Sequence, residues 1–283
     1  MLFLHSQTET TMKLSSVKMV VTDMDGTLLN SKSEVSDQFF ELFHALKKHN
    51  VRFVAASGRQ YSSIYEKLEK IQNEISIVAE NGGYIKHGAQ ELGSILLSRD
   101  KVDNLIPPLR EIDGLYTVLC GKESAYIENS DPKFTNILGE YYTHFSIVED
   151  LHSVDYDNFF KVAVYHFDGS EKFVYPHLKH FEDQLQVKVS GANWIDISDP
   201  KANKGNALKI LQKKFGISSS ETMVFGDFNN DLEMLQESYF SYAMANAHAN
   251  VKATARFSTR SNDDNGVEHI LQQVLDAKEK GLD

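Results

Sequence analysis

The segment Asp23-Met24-Asp25-Gly26-Thr27-Leu28 constrains the fold and chemistry of this chain most strongly. It directly follows an apolar run at residues 17–22, which has the pattern of a buried strand. Two carboxylates therefore leave the carboxyl end of that strand, and Gly26 lets the backbone turn away. In open parallel α/β sheets, ligands bind at this edge. The sequence predicts a site in which one carboxylate attacks and the other transfers protons.

A calcium loop or a plain acidic turn is the alternative interpretation of this segment. An EF-hand loop would place further Asp or Asn residues before its glycine and would end in a glutamate. Here Gly26 comes straight after Asp25, and the following Thr27, Leu28 and Leu29 are too apolar to bind a metal through side chains. A plain acidic turn stays open for the segment taken alone, so the rest of the chain has to decide.

Strand and helix patterns alternate through the first third of the chain. Apolar residues at helical spacing follow a capping serine at residues 36–46, a buried strand is predicted at 51–56, a helix at 61–71 and a third strand at 75–79. Repeats of this length indicate a parallel sheet with helices on both faces. The alternation of strands and helices resumes after residue 192, with a helix at 204–215, a strand at 221–225 and a last helix at about 266–278.

The middle of the chain has a different pattern. Strands at residues 124–128 and 159–167 alternate partially, as in a sheet with one wet face, and helices are expected near 100–112, 132–142 and 170–184, the first interrupted by Pro107 and Pro108. We therefore predict a discontinuous α/β core domain at residues 1–82 and 192–283. An α+β domain is inserted at residues 83–191, roughly a hundred residues, which is a normal domain size.

Composition excludes several function classes. A formal net charge of −11 argues against a nucleic-acid partner and against an anionic membrane surface. An acidic protein can still bind phosphate if a metal and a few fixed donors supply positive charge locally. Cys120 is the only cysteine, so it is expected to be a small core residue. The first five residues lack a basic leader and no apolar run reaches membrane-spanning length, so we expect a soluble, cytoplasmic protein.

Four strand or helix ends carry residues suited to phosphoryl transfer. Asp23 is the candidate nucleophile, since carboxylate attack on phosphorus divides one hard displacement into two easier steps. Asp25 is the candidate general acid and base, and it needs a raised pKa in the first step. Ser57 and Gly58 end the second strand, where a hydroxyl and backbone N–H groups can hold phosphoryl oxygens, although a capped turn explains them equally well. The role of Arg59 stays open.

The other two elements lie in the second half of the core. Lys204 stands at a helix N-terminus, where a cation is unfavourable unless an anion shares the position, so it is predicted to neutralise Asp23 and the phosphate. Lys201 is its competitor, and a solvated lysine is the alternative. Asp227 would complete a Mg²⁺ site with Asp23 and a backbone carbonyl, that of Asp25.

Two neighbours of Asp227 are predicted to support this site. Asn230 can donate a hydrogen bond to phosphate, and Asp231 would orient the waters of the metal or the ammonium of Lys204. The alternative is an ordinary helix N-terminus capped by Asn and Asp.

With these motifs the chain resembles the haloacid dehalogenase-like (HAD) hydrolases, and within them the Cof-type sugar phosphatases with a type IIB cap. The four family motifs match at residues 23–29 (DMDGTLL), 57–59 (SGR), 204–205 (KG) and 226–231 (GDFNND), and residues 80–82 (ENG), 244–247 (MANA) and 265–271 (NGVEHIL) agree as well. One departure is Lys201-Ala202-Asn203, where many relatives have a Gly-x-Ser run before the motif lysine.

The resemblance implies a Rossmann-like parallel sheet with an inserted cap and Mg²⁺-dependent monoester hydrolysis through an aspartyl phosphate. It implies that Asp23 is the nucleophile, Asp25 the acid and base, and Asp227 a metal ligand. Ser57, Gly58, Lys204 and Asn230 are then the phosphate-binding residues, listed here as a set. The expected partner is a small phosphorylated metabolite.

Two other functions compete with a phosphatase. A phosphohexomutase-like phosphotransferase needs clustered arginines in its cap to hold a second phosphate, and the inserted region contains only Arg99 and Arg110. A non-catalytic phosphate-binding protein would usually lack a catalytic Asp. The residues that determine substrate specificity are expected on the inward face of the cap. Trp194, where the chain returns from the cap, could stack on a sugar, but a packing role is favoured. His166 and Lys161 are surface candidates only.

Overall fold

The computed structural model describes residues 13–281. The opening residues on which the localisation prediction depends lie outside this range. Within the described part of the chain, no helix combines the length and the apolar character needed to cross a membrane.

Fourteen strands and ten α-helices are formed among the described residues. The strands, in chain order, are β1 (Met19–Thr22), β2 (Arg52–Ala56), β3 (Ser76–Ala79), β4 (Tyr84–His87), β5 (Gln90–Ser94), β6 (Tyr116–Gly121), β7 (Ala125–Ile127), β8 (Phe145–Ile147), β9 (Phe159–Tyr165), β10 (Gln186–Val189), β11 (Trp194–Ser198), β12 (Thr222–Gly226), β13 (Phe240–Ala243) and β14 (Phe257–Ser258). The helices are α1 (Asp37–Lys48), α2 (Tyr61–Lys67), α3 (Arg99–Arg110), α4 (Pro132–Tyr141), α5 (Ser170–Phe173), α6 (Tyr175–Leu178), α7 (Lys204–Phe215), α8 (Leu232–Gln236), α9 (Ala249–Thr254) and α10 (Gly266–Glu279).

The larger sheet is mixed, and it is parallel except for an antiparallel hairpin at one edge. Its eight strands run in the order β14-β13-β12-β1-β2-β3-β4-β5, and the first six of these are parallel. The α/β fold with a parallel sheet in its core, predicted from the sequence, is confirmed. Because β1 lies between β12 and β2, their carboxyl ends meet at one edge, and the loops that follow them converge there.

Local sequence signals explain the helices that carry this core. Ser36 caps α1 by accepting a hydrogen bond from the backbone N–H of Phe39 at 3.1 Å. Asn203 caps α7 in the same way, through the N–H of Asn206 at 2.8 Å. Gly216 ends α7 in a left-handed conformation, φ +65°, which glycine adopts without steric cost.

The smaller sheet has six strands in the order β10-β11-β9-β6-β7-β8, antiparallel except between β7 and β8. The sheet boundaries differ from the predicted domain bounds of 83–191. Strands β4 and β5 extend the larger sheet, because the hairpin adds antiparallel to β3, whereas β11 belongs to the smaller sheet. The division of the chain into a core and a cap stays a prediction.

Two further expectations about the middle region are wrong. Strand β9 is buried at every position, because Val162 packs with Leu105 on one face and Tyr165 with Phe134 on the other, so it has no wet face. Helix α3 also continues through Pro107 and Pro108. These prolines fall in its last turn, and the carbonyl of Asp103, which Pro107 leaves without its helical N–H, lies 3.4 Å from Nε2 of His152. Cys120 is buried, as predicted.

Candidate active site

The loops that follow β1 and β12 meet directly. Strand β1 pairs with β12 so that Thr22 lies opposite Phe225, and the N–H of Asp23 donates to the carbonyl of Phe225 at 3.1 Å. Asp23 and Asp227 are therefore each placed just beyond the end of a neighbouring strand. Both aspartates thus lie at the carboxyl edge of the sheet, which is where the sequence predicts the site.

Gly26 is required where the first loop passes the second. It has φ +73°, and a Cβ at this position would collide with the carboxylate of Asp227. Thr27 donates from Oγ1 to Oδ1 of Asp227 at 3.0 Å, and the side-chain amide of Asn246 donates to the carbonyl of Gly26 at 2.8 Å. Thr27 therefore holds one oxygen of Asp227, and Asn246 holds the peptide of Gly26 beside it. Neither residue had been assigned a role from the sequence.

Lys204 joins two of the predicted acidic residues. Its side chain is 1% exposed, and Nζ lies 2.5 Å from Oδ1 of Asp23 and 2.7 Å from Oδ1 of Asp231. The other oxygen of Asp231 accepts from the backbone N–H groups of Asp227 and Phe228. The two carboxylates raise the pKa of Lys204 against the effect of burial, so the ammonium stays charged. Asp231 thus holds both the lysine and the loop.

The acidic cluster has the composition of a site for a hard divalent cation. Carboxylate oxygens of Asp23, Asp227 and Asp231 lie within 4.8 Å of one another. Burial, opposed by Lys204, raises the pKa of Asp23 to about 7, with Asp231 and Asp25 adding repulsion. Burial and the charge of Asp23 also raise the pKa of Asp227 well above its ordinary value. Because a cation would relieve this repulsion and Mg²⁺ prefers oxygen ligands, these residues fit a magnesium ion.

Arg59, whose role the sequence left open, holds Asp25. Nε and Nη2 of the guanidinium donate to the two oxygens of Asp25 at 2.7 and 2.6 Å, a bidentate pair. Nη1 of Arg59 donates to Ser63 at 3.1 Å and to the carbonyl of Glu140. The side chain of Asp25 is 38% exposed and faces the cavity, whereas Arg59 is buried. Arg59 therefore fixes the orientation of Asp25 while the carboxylate stays accessible to solvent.

The predicted phosphate-binding residues lie around the same cavity. Ser57 Oγ accepts from the backbone N–H of Arg59 at 3.1 Å, and Asn230 donates from Nδ2 to Oδ1 of Asn81 at 3.0 Å. Six of the eight predicted site residues line the cavity, namely Asp23, Asp25, Ser57, Gly58, Asp227 and Asn230. The other two complete the site through Lys204, whose Nζ contacts both Asp23 and Asp231. The structure thus brings all eight together.

The cavity, of about 450 Å³, is lined in part by a group of apolar side chains, called here the aromatic wall. The wall comprises Ile137 and four aromatic residues, Tyr141, Tyr142, Tyr165 and Trp194. Trp194 packs on Tyr165 and Tyr141 with ring centroids 4.8 and 5.5 Å apart, so the packing role expected of it is present. The same ring also faces the cavity and is available to a ligand.

Two residues expected at the surface are buried. Lys161 is 1% exposed, because it lies on the central strand β9, and His166 is 9% exposed, with its ring stacked on Phe173. The expectation that they are surface groups is wrong, since both faces of this sheet are covered. The sequence does contain a signal for burial, because Lys161 lies within an apolar run at residues 159–165. A charged side chain in such a run needs a buried partner.

The chain is similar to known proteins of one family. A family profile described as haloacid dehalogenase-like hydrolase matches residues 20–271. The chain is 34% identical over 263 residues to the 5-amino-6-(5-phospho-D-ribitylamino)uracil phosphatase YbjI of Escherichia coli (strain K12), covering 92% of this chain and 97% of that protein.

Solved structures share the fold. The crystal structure of SMU.1108c from Streptococcus mutans UA159 matches with a TM-score of 0.86 and 30% identity, covering 92% of this chain and 99% of the other. The HAD subclass IIB sugar phosphatase BT4131 matches with a TM-score of 0.79 and 20% identity over 91% and 98% of the two chains. The latter likeness concerns the fold alone.

Proposed function

Because the chain belongs to the haloacid dehalogenase-like hydrolases, we propose that it is a magnesium-dependent phosphatase that hydrolyses a small phosphomonoester through a phosphorylated Asp23. One observation carries the proposal. The Asp23 carboxylate lies beside the Lys204 ammonium and within reach of two further carboxylates, in a loop that opens into a cavity. This arrangement suits a nucleophile that must approach an anion.

In the first step, an oxygen of Asp23 attacks the phosphorus of the bound ester. The bond between phosphorus and the ester oxygen breaks as the new bond to Asp23 forms, and protonated Asp25 gives its proton to the departing alcohol. Both oxygens of Asp25 accept hydrogen bonds from Arg59 in this structure, so the proton has to be carried on an oxygen that has released its guanidinium N–H. The products of this step are the free alcohol and an acyl phosphate on Asp23.

In the second step, the ionised Asp25 accepts a proton from a water molecule. The water oxygen attacks phosphorus, the bond from phosphorus to Asp23 breaks, and inorganic phosphate leaves. The carboxylate of Asp23 and the proton on Asp25 are restored together. One aspartate therefore serves as acid and then as base, and Asp25 faces the cavity in which both proton transfers would occur.

Fixed donors hold the transferred group between these steps. Lys204 supplies positive charge beside Asp23, and the amide of Asn230 and the loop at Ser57-Gly58 supply neutral donors within the lining of the cavity. Such donors act most strongly in a site with little water. Asp23, Asp227 and the backbone carbonyl of Asp25 would hold the magnesium ion, which when bound screens the repulsion between the nucleophile and the phosphate.

Removing divalent metal is expected to stop phosphate release, and added Mg²⁺ is expected to restore it. Because the pKa of Asp23 is raised to about 7, metal binding displaces a proton from this site, so the affinity for Mg²⁺ should rise between pH 6 and pH 8. Phosphate release from a panel of phosphomonoesters after EDTA treatment, with Mg²⁺ titrated at each pH, measures both effects. Full activity in EDTA, or an affinity independent of pH, would contradict the proposed metal site.

The aromatic wall favours a substrate whose leaving group carries a planar ring. The relative YbjI is named for a uracil ring carried on a phosphorylated ribityl chain. We propose that this chain acts on a sugar phosphate or sugar-alcohol phosphate of that kind, with the ring against Trp194 and the phosphate at Asp23. A flat ring gains favourable contact with an aromatic wall of this type.

Replacing Trp194 by leucine is expected to raise KM about 10-fold for 5-amino-6-(5-phospho-D-ribitylamino)uracil, which corresponds to about 1.4 kcal/mol of lost stacking. KM for glycerol 3-phosphate, which has no ring, should stay within about 2-fold. Phe257→Leu, which changes an exposed aromatic residue of β14, is the matched control. An equal rise in KM for both esters would indicate a packing defect instead of ring recognition.

A phosphohexomutase-like reaction has less support. The two arginines of the inserted region are engaged away from the cavity, Arg99 with Asp103 and backbone carbonyls and Arg110 with Glu128 and Asp150. Neither arginine lines the cavity, so neither is placed to bind a second phosphate there. A binding protein without turnover would require the loss of a reacting group, and both aspartates are present.

A further inference from the structure

A buried lysine connects the smaller sheet to the loops of the candidate active site. Lys161 extends from the central strand β9, and its Nζ donates to the carbonyl of Gly58 at 2.6 Å. The same ammonium lies 3.0 Å from Oδ1 of Asp196 on β11 and 3.2 Å from Oε2 of Glu80. Because Gly58 and Glu80 follow strands of the larger sheet, one cation joins both sheets.

The contact with Gly58 fixes a peptide plane in the phosphate-binding loop. The carbonyl that Lys161 holds and the N–H of Arg59 belong to the same peptide, and this N–H donates to Ser57 Oγ at 3.1 Å. Rotation of that peptide would release Ser57 and would also displace the backbone of Arg59, whose guanidinium holds Asp25. Lys161 therefore acts on two predicted functions of the loop through a backbone carbonyl, although it also lies among the residues that line the cavity.

A second branch leads from Lys161 to Asn230. Oδ2 of Asp196 accepts from Nδ2 of Asn81, and Oδ1 of Asn81 accepts from Nδ2 of Asn230. Asn81 has φ +52° and the preceding Glu80 has φ +51°, a left-handed conformation that is uncommon for side-chain-bearing residues. The backbone here is held in an unfavourable shape that directs the amide of Asn81 toward Asn230.

The charges of this buried cluster are not balanced. Two carboxylates share one ammonium, burial raises the pKa of Glu80 to about 7, and Oε1 of Glu80 has no hydrogen-bond partner among the described residues. Apolar contact would hold two sheets together at lower cost in desolvation. Lys188 and Glu233 form another pair between the smaller sheet and α8, at 2.6 Å, that is only half-buried and does not touch Gly58, Asn81 or Asn230.

We propose that Lys161, with Asp196, is a positioning residue that sets the orientation of the phosphate-binding groups at Ser57, Gly58 and Asn230 when the smaller sheet is docked. The proposal rests on the proposed phosphatase function, since it assigns a role to groups that bind the transferred phosphoryl. It predicts that the cluster changes the rate of the chemical steps more than the binding of substrate, because Lys161 holds a peptide of the loop that positions the transferred group.

Lys161→Met is expected to lower kcat by roughly 10- to 100-fold and to change KM by less than about 3-fold. This variant leaves carboxylates buried without a counter-charge, so its Tm should also fall. The triple variant E80Q/K161M/D196N removes every charge of the cluster and should recover most of the Tm. Its kcat is expected to stay low, because no ammonium holds the carbonyl of Gly58.

Lys188→Met is the matched control, because it breaks the other lysine pair between the smaller sheet and the core. Its kcat should stay within about 2-fold of the parent value. All rates are measured with Mg²⁺ at a temperature where circular dichroism finds each variant folded. Recovery of kcat in the triple variant, or an equal loss of kcat in Lys188→Met, would overturn the positioning role. Failure of the parent protein to release phosphate would instead refute the proposed function.

Discussion

Replacing Asp23 by asparagine is expected to lower kcat by at least roughly 10⁴-fold, the largest effect on activity that we predict. The asparagine amide keeps the size of the side chain but cannot form an acyl phosphate. Folding should be preserved, because the substitution removes a buried carboxylate from a cluster of like charges while Lys204 keeps its contact with Asp231. Steady-state phosphate release and thermal unfolding of the same preparation measure the two effects.

Two comparisons separate the roles of the aspartates. Asp25→Asn should still accept the phosphoryl group on Asp23 when the ester has a good leaving group, but the acyl phosphate should accumulate because no base activates water. Asp23→Asn should show no such adduct. Asp37→Asn is the matched control, since this carboxylate lies on the surface of α1 and pairs with Lys70.

The adduct is measured by mass spectrometry after rapid mixing with substrate and acid. A phosphate adduct mapped to Asp23 in the Asp25→Asn protein would support the assignment. Turnover at parent rates in Asp23→Asn, or an adduct mapped to another residue in the parent protein, would refute it.

The acidic half of the site was predictable from the sequence because its determinants are local. Asp23 and Asp25 follow an apolar strand without interruption, and Lys204 stands at a helix N-terminus where a cation is unfavourable by itself. Each of these signals falls within a few residues. The carboxyl-edge rule for parallel sheets then brings distant segments together without any knowledge of their contacts.

The part of the site contributed by the smaller sheet was not predictable in this way. Lys161 was interpreted as a surface group because alternation along β9 suggested one wet face, whereas helices and the larger sheet cover both faces. Its partners Glu80 and Asp196 are separated from it by 81 and 35 residues of sequence. Periodicity reports the local surroundings of a strand and does not report which loop its side chains meet across a cavity.

Arg59 shows the same limit. Its position after Ser57-Gly58 was visible, but its direction depends on Ser63, one turn along α2, and on the carbonyl of Glu140 at the end of α4. These contacts turn the guanidinium toward Asp25. A bidentate pair between loops of two strands requires the orientation of both side chains, and this orientation follows from packing that the motif itself does not encode.

Replacing Lys204 by methionine is expected to affect stability and activity together. The ammonium is the buried counter-charge of Asp23 and Asp231, so its removal should cost about 3–5 kcal/mol of unfolding free energy when both carboxylates are ionised. The folded protein holds a proton on Asp23 more tightly than the unfolded chain does, and the loss of Lys204 strengthens this preference. The stability deficit relative to the parent should therefore grow as the pH rises from 5 to 8.

The activity of Lys204→Met should fall by roughly 10²–10³-fold at pH 7 even with saturating Mg²⁺, because a fixed donor beside the transferred group is lost. Lys201→Met is the matched control, since Lys201 is three residues away and exposed, and the sequence alone offered it as the alternative to Lys204. Urea unfolding at pH 5 and pH 8, together with phosphate release at pH 7, tests both effects. The assignment fails if Lys201→Met loses as much activity as Lys204→Met, or if the stability deficit of Lys204→Met shrinks as the pH rises. If the stability deficit of Lys204→Met grows with pH and its activity is lost, both effects trace to the charge of Asp23. Lys204 supports the ionisation of this carboxylate, and the ionised carboxylate is the group that attacks phosphorus.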